Sequence, residues 1–470
     1  MKKNPSRREF VKTSALLTGG LLAPSFLIPG AYAAPQNHLK LALIGCGGRG
    51  TGAVFQAFDT GHPIKLVAMA DAFADRLEGS YKPIFEKYGK DKVDVPQERR
   101  FVGFDAYKKA IAEADVVILA SPPGFRPSHF EEAVRQGKQI FMEKPVATDA
   151  AGIRKVLAAA EVAKAKKLNV VVGLQRHYQN NYREVMKRIQ DGALGDIVGG
   201  QVYWNDGGVW VKQRTPGQTE MEYQMRNWYY FNWLCGDHIV EQHVHNIDVA
   251  NWAKNGYPVK AEGTGGRAVR TSKEHGEIFD HHVLTFTYAD GTVIHSECRH
   301  FPGAANRVDE TFQGTKGKAY LSAGNHGLLT DWKGNVIYDH DRKNQPNPYQ
   351  QEHDELWATL MKGEYKFADA ENGKKMEKKV GRSENISFPE LNISKIKAKV
   401  DTGAYGVALH VDDINPLPQM PKSKTGVDNG IEIRHLLHDG QSIIVQVVKE
   451  ARNKGGLGIH ISEECINGAR

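Results

Sequence analysis

Three side chains near the middle of the chain have the types and spacing for proton chemistry. Glu241, His245 and Asp248 stand at i, i+4 and i+7 in a stretch that reads as helical from Gly236 onward. Acid, imidazole and acid would then share one helix face, which is costly to bury unless it has a task. A second group has the types for phosphate binding. The apolar run Leu39 to Ile44 ends in G-x-G-x-x-G at Gly45, Gly47 and Gly50, with Gly48 and Arg49 between. Such glycines permit a tight turn, close approach to a pyrophosphate and close helix packing, and a helix N-terminus offers free N–H groups. A second apolar run, Ile64 to Ala70, ends in Asp71, about twenty residues past the last glycine, where a carboxylate grips a ribose hydroxyl. Together these point to a dinucleotide. Asp71 has no basic residue directly after it, which favours NAD over NADP.

Strands and helices must alternate to hold these groups. Asp115 to Ala120 reads as a parallel strand ending in Ser121-Pro122-Pro123, and Gln139 to Met142 as another ending in Glu143-Lys144-Pro145. Ligands bind at such strand ends, so Ser121, Pro122, Glu143 and Lys144 join Gly45, Gly47, Gly48, Arg49, Gly50 and Asp71 as candidate cofactor contacts. The pattern predicts an α/β Rossmann domain over residues 36–174. A different grammar begins at Gln175-Arg176-His177. Alternating strands such as His281–Tyr288 and Arg307–Gly314, separated by Gly-containing turns, predict an α+β domain over residues 175–373 with an open, largely antiparallel sheet. Arg176 and His177 at the junction, and Trp228 and Tyr229 in the run Trp228 to Trp233, are candidate substrate contacts. That aromatic run reads either as core or as a stacking wall for a sugar; the interleaved Arg226, Asn227 and Asn232 favour the wall. Glu352, His353 and Asp354 open a further helix and read as capping residues.

A competing metal reading groups His238, His243 and His245 with Glu241. A helical zinc pair wants H-x-x-x-H, whereas His238 and His243 stand five apart and His243 and His245 face opposite sides. No metal is assigned.

The chain has 470 residues and a net charge of +7, with ordinary globular composition. No long basic run interleaved with aromatics suggests nucleic acid. Residues 1–33 carry a twin arginine at Arg7-Arg8, an apolar stretch and the A-x-A site Ala31-Tyr32-Ala33. They resemble a twin-arginine export signal, which implies passage through that export machinery and a periplasmic location for the folded protein. The four cysteines form neither a disulfide framework nor a metal pattern, and Cys46 reads as packing within the glycine turn.

The glycine turn, Asp71, the Ser121-Pro122-Pro123 edge and Glu143-Lys144-Pro145 together resemble the glucose-fructose oxidoreductase / inositol dehydrogenase / rhizopine-catabolism superfamily, from about Leu39 to Gly373. The resemblance implies that Lys144 meets the substrate hydroxyl near the nicotinamide. It also implies that Glu241 (in place of the usual aspartate) and His245 lie near the reacting carbon, with Asp248 completing the motif. The free face of the second sheet would mediate homo-oligomerisation. Lys144 and His245 are the candidates for the proton relay.

These expectations describe hydride transfer at a carbinol carbon of a carbohydrate. An exported enzyme meets no pool of free nicotinamide cofactor, so bound NAD must be regenerated in place. A second substrate does this in an oxidoreductase. In a redox-neutral glycosidase, elimination of a glycosidic group does it instead. A non-catalytic sugar-binding protein is the third reading, against which Lys144 and His245 speak. After Gly373 the pattern changes. The alternating run ending in Asp401-Thr402-Gly403-Ala404 resembles a small retropepsin-like family, predicting an incomplete all-β segment over residues 380–470 with Asp401 at the catalytic position.

Overall fold

The structure, a computed structural model, describes residues 38–368 and six strands between Ser383 and His460. The twin-arginine segment of residues 1–33 lies outside the described residues, as do Thr402 and Gly403 beside Asp401.

The first sheet grows from β1 (Leu39–Ile44), β2 (Ile64–Asp71), β3 (Arg100–Val102), β4 (Val116–Leu119), β5 (Gln139–Met142) and β6 (Val170–Val172). Between them run α1 (Gly48–Asp59), α2 (Ala74–Lys92), α3 (Ala106–Glu113), α4 (Arg126–Arg135) and α5 (Ala150–Ala165). The strands are continuous apolar runs because helices cover both faces. One face packs Ala110, Phe130 and Val156; the other packs Val54, Phe58 and Ile84. All pairings are parallel, in the order β6-β5-β4-β1-β2-β3. Chain order reverses between β4 and β1, which opens a crevice at their C-terminal ends.

The second sheet comprises β7 (Ile197–Asp206), β8 (Pro258–Gly266), β9 (His281–Tyr288), β10 (Val293–His300), β11 (Arg307–Gly314), β12 (Gly317–Ser322), β13 (His326–Asp331) and β14 (Val336–Asp339). It is antiparallel except for β7 beside β10, which run parallel. Its inner face packs against α6 (Asn180–Gln190) and, further along the chain, Val244–Ala253 through Tyr182, Met186, Ile247, Phe312 and Leu329. Short helices α7 (Glu220–Arg226), α8 (Asn232–Cys235) and α9 (Asp237–Glu241) lead into that helix, α10 (Val244–Ala253).

The continuous helix expected from Gly236 is broken. Gln242 leaves helical geometry, at φ −113° and ψ −51°, and separates α9 from α10. Glu241, His245 and Asp248 therefore do not share one helix face. A second difference concerns α11 (Pro348–Met361), which the sequence places with the second domain. Its Leu356, Trp357 and Leu360 enter the core of the first sheet, and β15 (Phe367–Ala368) then pairs with β6 as that sheet's last strand. The side chain that caps α11 is Asn347, which accepts from the Tyr349 N–H at 2.9 Å, not the acids that follow. Glu352 and His353 are instead buried.

The C-terminal strands β16 (Ser383–Phe388), β17 (Ile393–Asp401), β18 (Ala408–Asp412), β19 (Gly430–Leu436), β20 (Ser442–Lys449) and β21 (Leu457–His460) form an antiparallel sheet in the order β16-β17-β18-β21-β20-β19. Asp401 is the last residue of β17, opposite Ala408.

Candidate active site

A cleft of about 510 Å³ occupies the crevice at the ends of β1 and β4, with Gly45, Gly47, Gly48, Arg49, Asp71, Ser121 and Pro122 in its lining. The glycines divide by task. At Gly45, with φ +94°, a Cβ would lie 2.3 Å from the Ser121 nitrogen; at Gly50 it would lie 2.1 Å from the Gly45 carbonyl oxygen. Those two let β1, β4 and α1 close on one another. A Cβ at Gly47 or Gly48 would meet nothing within 4 Å, so these two keep space in the cleft itself. Gly47 supplies no side-chain cap, which leaves the first N–H groups of α1 for an anion. Asp71 accepts from the Cys46 N–H at 2.7 Å and the Phe73 N–H at 2.9 Å, which aims its carboxylate beside the turn. Burial pushes that carboxyl up, against the pull of the two N–H donors. Open space at Gly47 and Gly48, free helix N–H groups and a fixed acid together suit a dinucleotide. Cys46 is buried, as expected of packing.

Glu143 and Gly50 do not line the cleft. Glu143 Oε1 pairs with Arg49 Nε at 2.5 Å, and its carboxylate fills the space beside Gly173, where a Cβ would sit 2.7 Å away. Arg49 also donates to Glu352 at 3.0 Å and Gln56 at 2.7 Å. Glu143 thus fixes the glycine turn through Arg49. Nothing in the local sequence marks Glu352 for this role, because it arrives about three hundred residues later.

The opposite wall of the cleft comes from the stretch after β7: Trp210, Lys212, Met225, Arg226 and Trp228. Arg226 reaches back to Asp75 at the start of α2 with two parallel bonds, 3.0 and 3.1 Å. The aromatic run divides accordingly. Trp228 faces the cofactor cleft, whereas Tyr229, Tyr230 and Phe231 are core.

Lys144, at the end of β5, follows the same strand edge to a second polar centre. Its Nζ donates to the Glu241 carbonyl oxygen and lies 3.2 Å from Glu241 Oε1. His245 is buried, stacked 5.9 Å from Trp204. Burial, and then the positive charge of Lys144 and Arg176, drive its imidazole well below the usual range, so it is held neutral. Burial pushes Glu241 up, with Lys144 pulling it back. Tyr229 is likewise pushed up by burial and by the Glu241 charge. Glu241 Oε2, His245 Nδ1 and the Tyr229 hydroxyl are buried without a hydrogen-bond partner. Each such atom costs about 1–3 kcal/mol unless a ligand joins it.

The remaining candidates are placed one step back. Arg176 is 1 % exposed and paired with Glu310, which also accepts from Tyr182 at 2.9 Å and Asn246 at 2.6 Å. A guanidinium so enclosed braces α10 through Glu310 and Asn246. His177 Nε2 lies 2.6 Å from Asp248 Oδ2, and its ring stacks on Trp252 at 4.2 Å. Asp248 thus orients His177 and is drawn away from Glu241. The histidines of the competing metal set diverge: His243 bonds Ser296 at 2.7 Å, while His238 turns towards Asp237.

Comparison with known proteins adds the following. Residues 39–173 match the family model for the GFO_IDH_MocA oxidoreductase family, NAD-binding Rossmann fold, and residues 182–320 match the GFO/IDH/MocA C-terminal domain model. An inositol 2-dehydrogenase of Rhizobium meliloti (strain 1021) is 28% identical over 217 residues, 46% of this chain and 55% of the relative. One from Acidiphilium cryptum (strain JF-5) is 24% identical over 317 residues, 64% of this chain and 83% of the relative. Among solved structures, an aldose-aldose oxidoreductase from Caulobacter crescentus, complexed with glycerol, superposes with TM-score 0.56 at 19% identity, covering 73% of this chain and 95% of that one. A levoglucosan dehydrogenase in complex with NADH gives TM-score 0.57 at 14% identity, covering 72% and 94%. These two likenesses concern the fold.

Proposed function

The chain belongs to the GFO/IDH/MocA family of NAD-dependent oxidoreductases, and from that premise we propose that it oxidises a carbinol of a sugar or polyol with NAD it does not release. The observation that carries the reading is three buried, unpartnered polar atoms linked through the Lys144–Glu241 pair: Glu241 Oε2, His245 Nδ1, whose imidazole feels the Lys144 charge, and the Tyr229 hydroxyl, which feels that of Glu241. A polyhydroxyl substrate supplies a partner to each; an apolar one supplies none.

When bound, NAD supplies the acceptor for a hydride from the carbinol C–H. The hydroxyl proton falls to the chain's own groups. His245, held neutral by its burial, accepts it. Lys144, anchored by Glu241, donates to the oxygen as negative charge develops there. Arg176, Glu310 and Asn246 keep α10, and so His245, in place.

Retention of the cofactor is supported by the wall that Trp210, Met225 and Trp228 add to the cleft and by the Arg226–Asp75 bridge across it. It accords with the export signal read in residues 1–33, which would place the enzyme in the periplasm after passage through the twin-arginine machinery. Retained NAD must be regenerated by a second substrate. The same bound cycle also serves the second reading, a redox-neutral glycosidase in which elimination precedes return of the hydride. Exposed Val198 and Val283 on the second sheet support homo-oligomerisation through it. The segment after Val380 is read as a retropepsin-like fragment on its D-T-G-A run. Its single Asp401 would need a second copy, because aspartic catalysis uses two carboxylates.

The test is incubation of the purified full-length chain, without added NAD, with sugars, polyols and glycosides. Paired oxidation and reduction supports the oxidoreductase, and glycoside cleavage the eliminating enzyme. Binding without turnover overturns both. Absence of NAD in the denatured protein's absorbance overturns retention.

A further inference from the structure

At the other end of α9 from the Glu241–Lys144 contact, three potential metal ligands converge that neither the reaction nor the family assignment uses. Among the described residues, Asp237, His238 and His282 offer donor atoms that all lie within 4.8 Å of one another. Asp237 Oδ1 is 3.0 Å from His238 Nδ1, which also lies 3.1 Å from the Phe279 carbonyl oxygen, and 3.2 Å from His282 Nε2. Ligands of a tetrahedral zinc ion, at about 2.0–2.1 Å from the metal, stand about 3.3 Å apart. Two sides of the triangle match that spacing, and the third, between the two imidazoles, is within 4.8 Å.

Two further observations point to a ligand there. His282 Nε2 is buried and makes no hydrogen bond, although the carboxylate oxygen is only 3.2 Å away. The other carboxylate oxygen, Asp237 Oδ2, accepts from the Phe279 N–H at 2.9 Å, the kind of outer bond that orients a metal-bound carboxylate. Asp237 also holds φ +70°, a left-handed conformation uncommon in residues other than glycine.

We propose that Asp237, His238 and His282 bind one divalent cation of the zinc class, with a fourth position open to water. Imidazole nitrogen with carboxylate oxygen suits zinc and its neighbours better than calcium or magnesium. The ion would pin the start of α9 to β9. α9 ends at Glu241, so the pin would help hold the carbonyl and carboxylate that anchor Lys144.

The test uses the full-length chain without an affinity tag, stripped with chelator and titrated with zinc chloride or cobalt chloride. Expected are about one equivalent of saturable binding per chain and, with cobalt, the visible absorption of a four- or five-coordinate site. Asp237→Gly keeps the left-handed backbone and removes the carboxylate; His282→Gln removes one imidazole. Each should weaken binding by about tenfold or more. No saturable binding by the unmodified chain overturns the proposal, as does undiminished binding in both variants. Should the variants fail to fold, melting of the unmodified chain decides. A saturable rise in Tm with zinc, reversed by chelator, supports the site, and an unchanged Tm overturns it. Neither readout involves NAD or turnover, so this outcome and that of the redox reading are separate.

Discussion

Lys144 and Glu241 meet across 97 positions of sequence, and the encounter sets what each can do. A lysine after a strand is by itself an exposed cation; here the Glu241 carbonyl and carboxylate aim it. Lys144→Ala should lower kcat by about a hundredfold or more with bound NAD unchanged, as expected when a group acts on the transition state. Single-turnover reduction of bound NAD, followed by absorbance, measures it. His245 must be neutral to accept a proton, and it gains charge as pH falls through its pKa. Because that pKa lies well below the ordinary histidine value, kcat/KM should show no acid limb near pH 6.5. A pH–rate profile with an inflection there would remove His245 from the role. Both residues stand out in the sequence. Their supports, Glu310 and Asn246, do not, because a lone Glu or Asn carries no local mark of what it will touch.

At the scale of elements, the glycine turn separates packing from binding. Gly47→Ala should leave Tm within a degree or two while weakening NAD retention, since its Cβ enters open cleft space. Gly50→Ala should destabilise by about 1–3 kcal/mol, because its Cβ would drive α1 off the Gly45 carbonyl. Melting curves and NAD content on the same preparations distinguish them. Loss of the fold in Gly47→Ala would contradict the division. The break between α9 and α10 is the counter-example to reading elements locally. Helical spacing put Glu241, His245 and Asp248 on one face. Gln242 stretches to a φ of −113° and the tertiary contacts redistribute them, Glu241 to Lys144 and Asp248 to His177.

Across the whole molecule, the end of the second domain returns to the first. Trp357→Ala should cost about 3–5 kcal/mol, the usual cost of emptying a buried indole site. Denaturant unfolding followed by fluorescence measures it; a near-neutral result would mean that α11 contributes little to the first core. The Arg226–Asp75 bridge makes a different prediction. Both groups retain solvent contact, so Asp75→Ala should barely change Tm. It should speed NAD release by about two- to fivefold, the range for one partly exposed ion pair. Dissociation into an NAD-scavenging assay checks it.

The sequence by itself determined the parallel sheet, the glycine cradle, Asp71 and the strand edges at Ser121 and Lys144. Each rests on local rules: apolar run length, the backbone freedom of glycine and the polarity of a helix N-terminus. It also marked the alternating strands of the second sheet, whose period follows from having one covered face. Only the tertiary structure decided that Arg176 pairs with Glu310, that Glu143 braces Arg49, that Trp228 walls the cofactor cleft while its neighbours fill the core, and that Asp237 and His238 meet His282. Those outcomes depend on which distant side chain arrives to share burial. A buried charge takes whatever partner the fold delivers, because leaving it alone costs more than any local preference can offset.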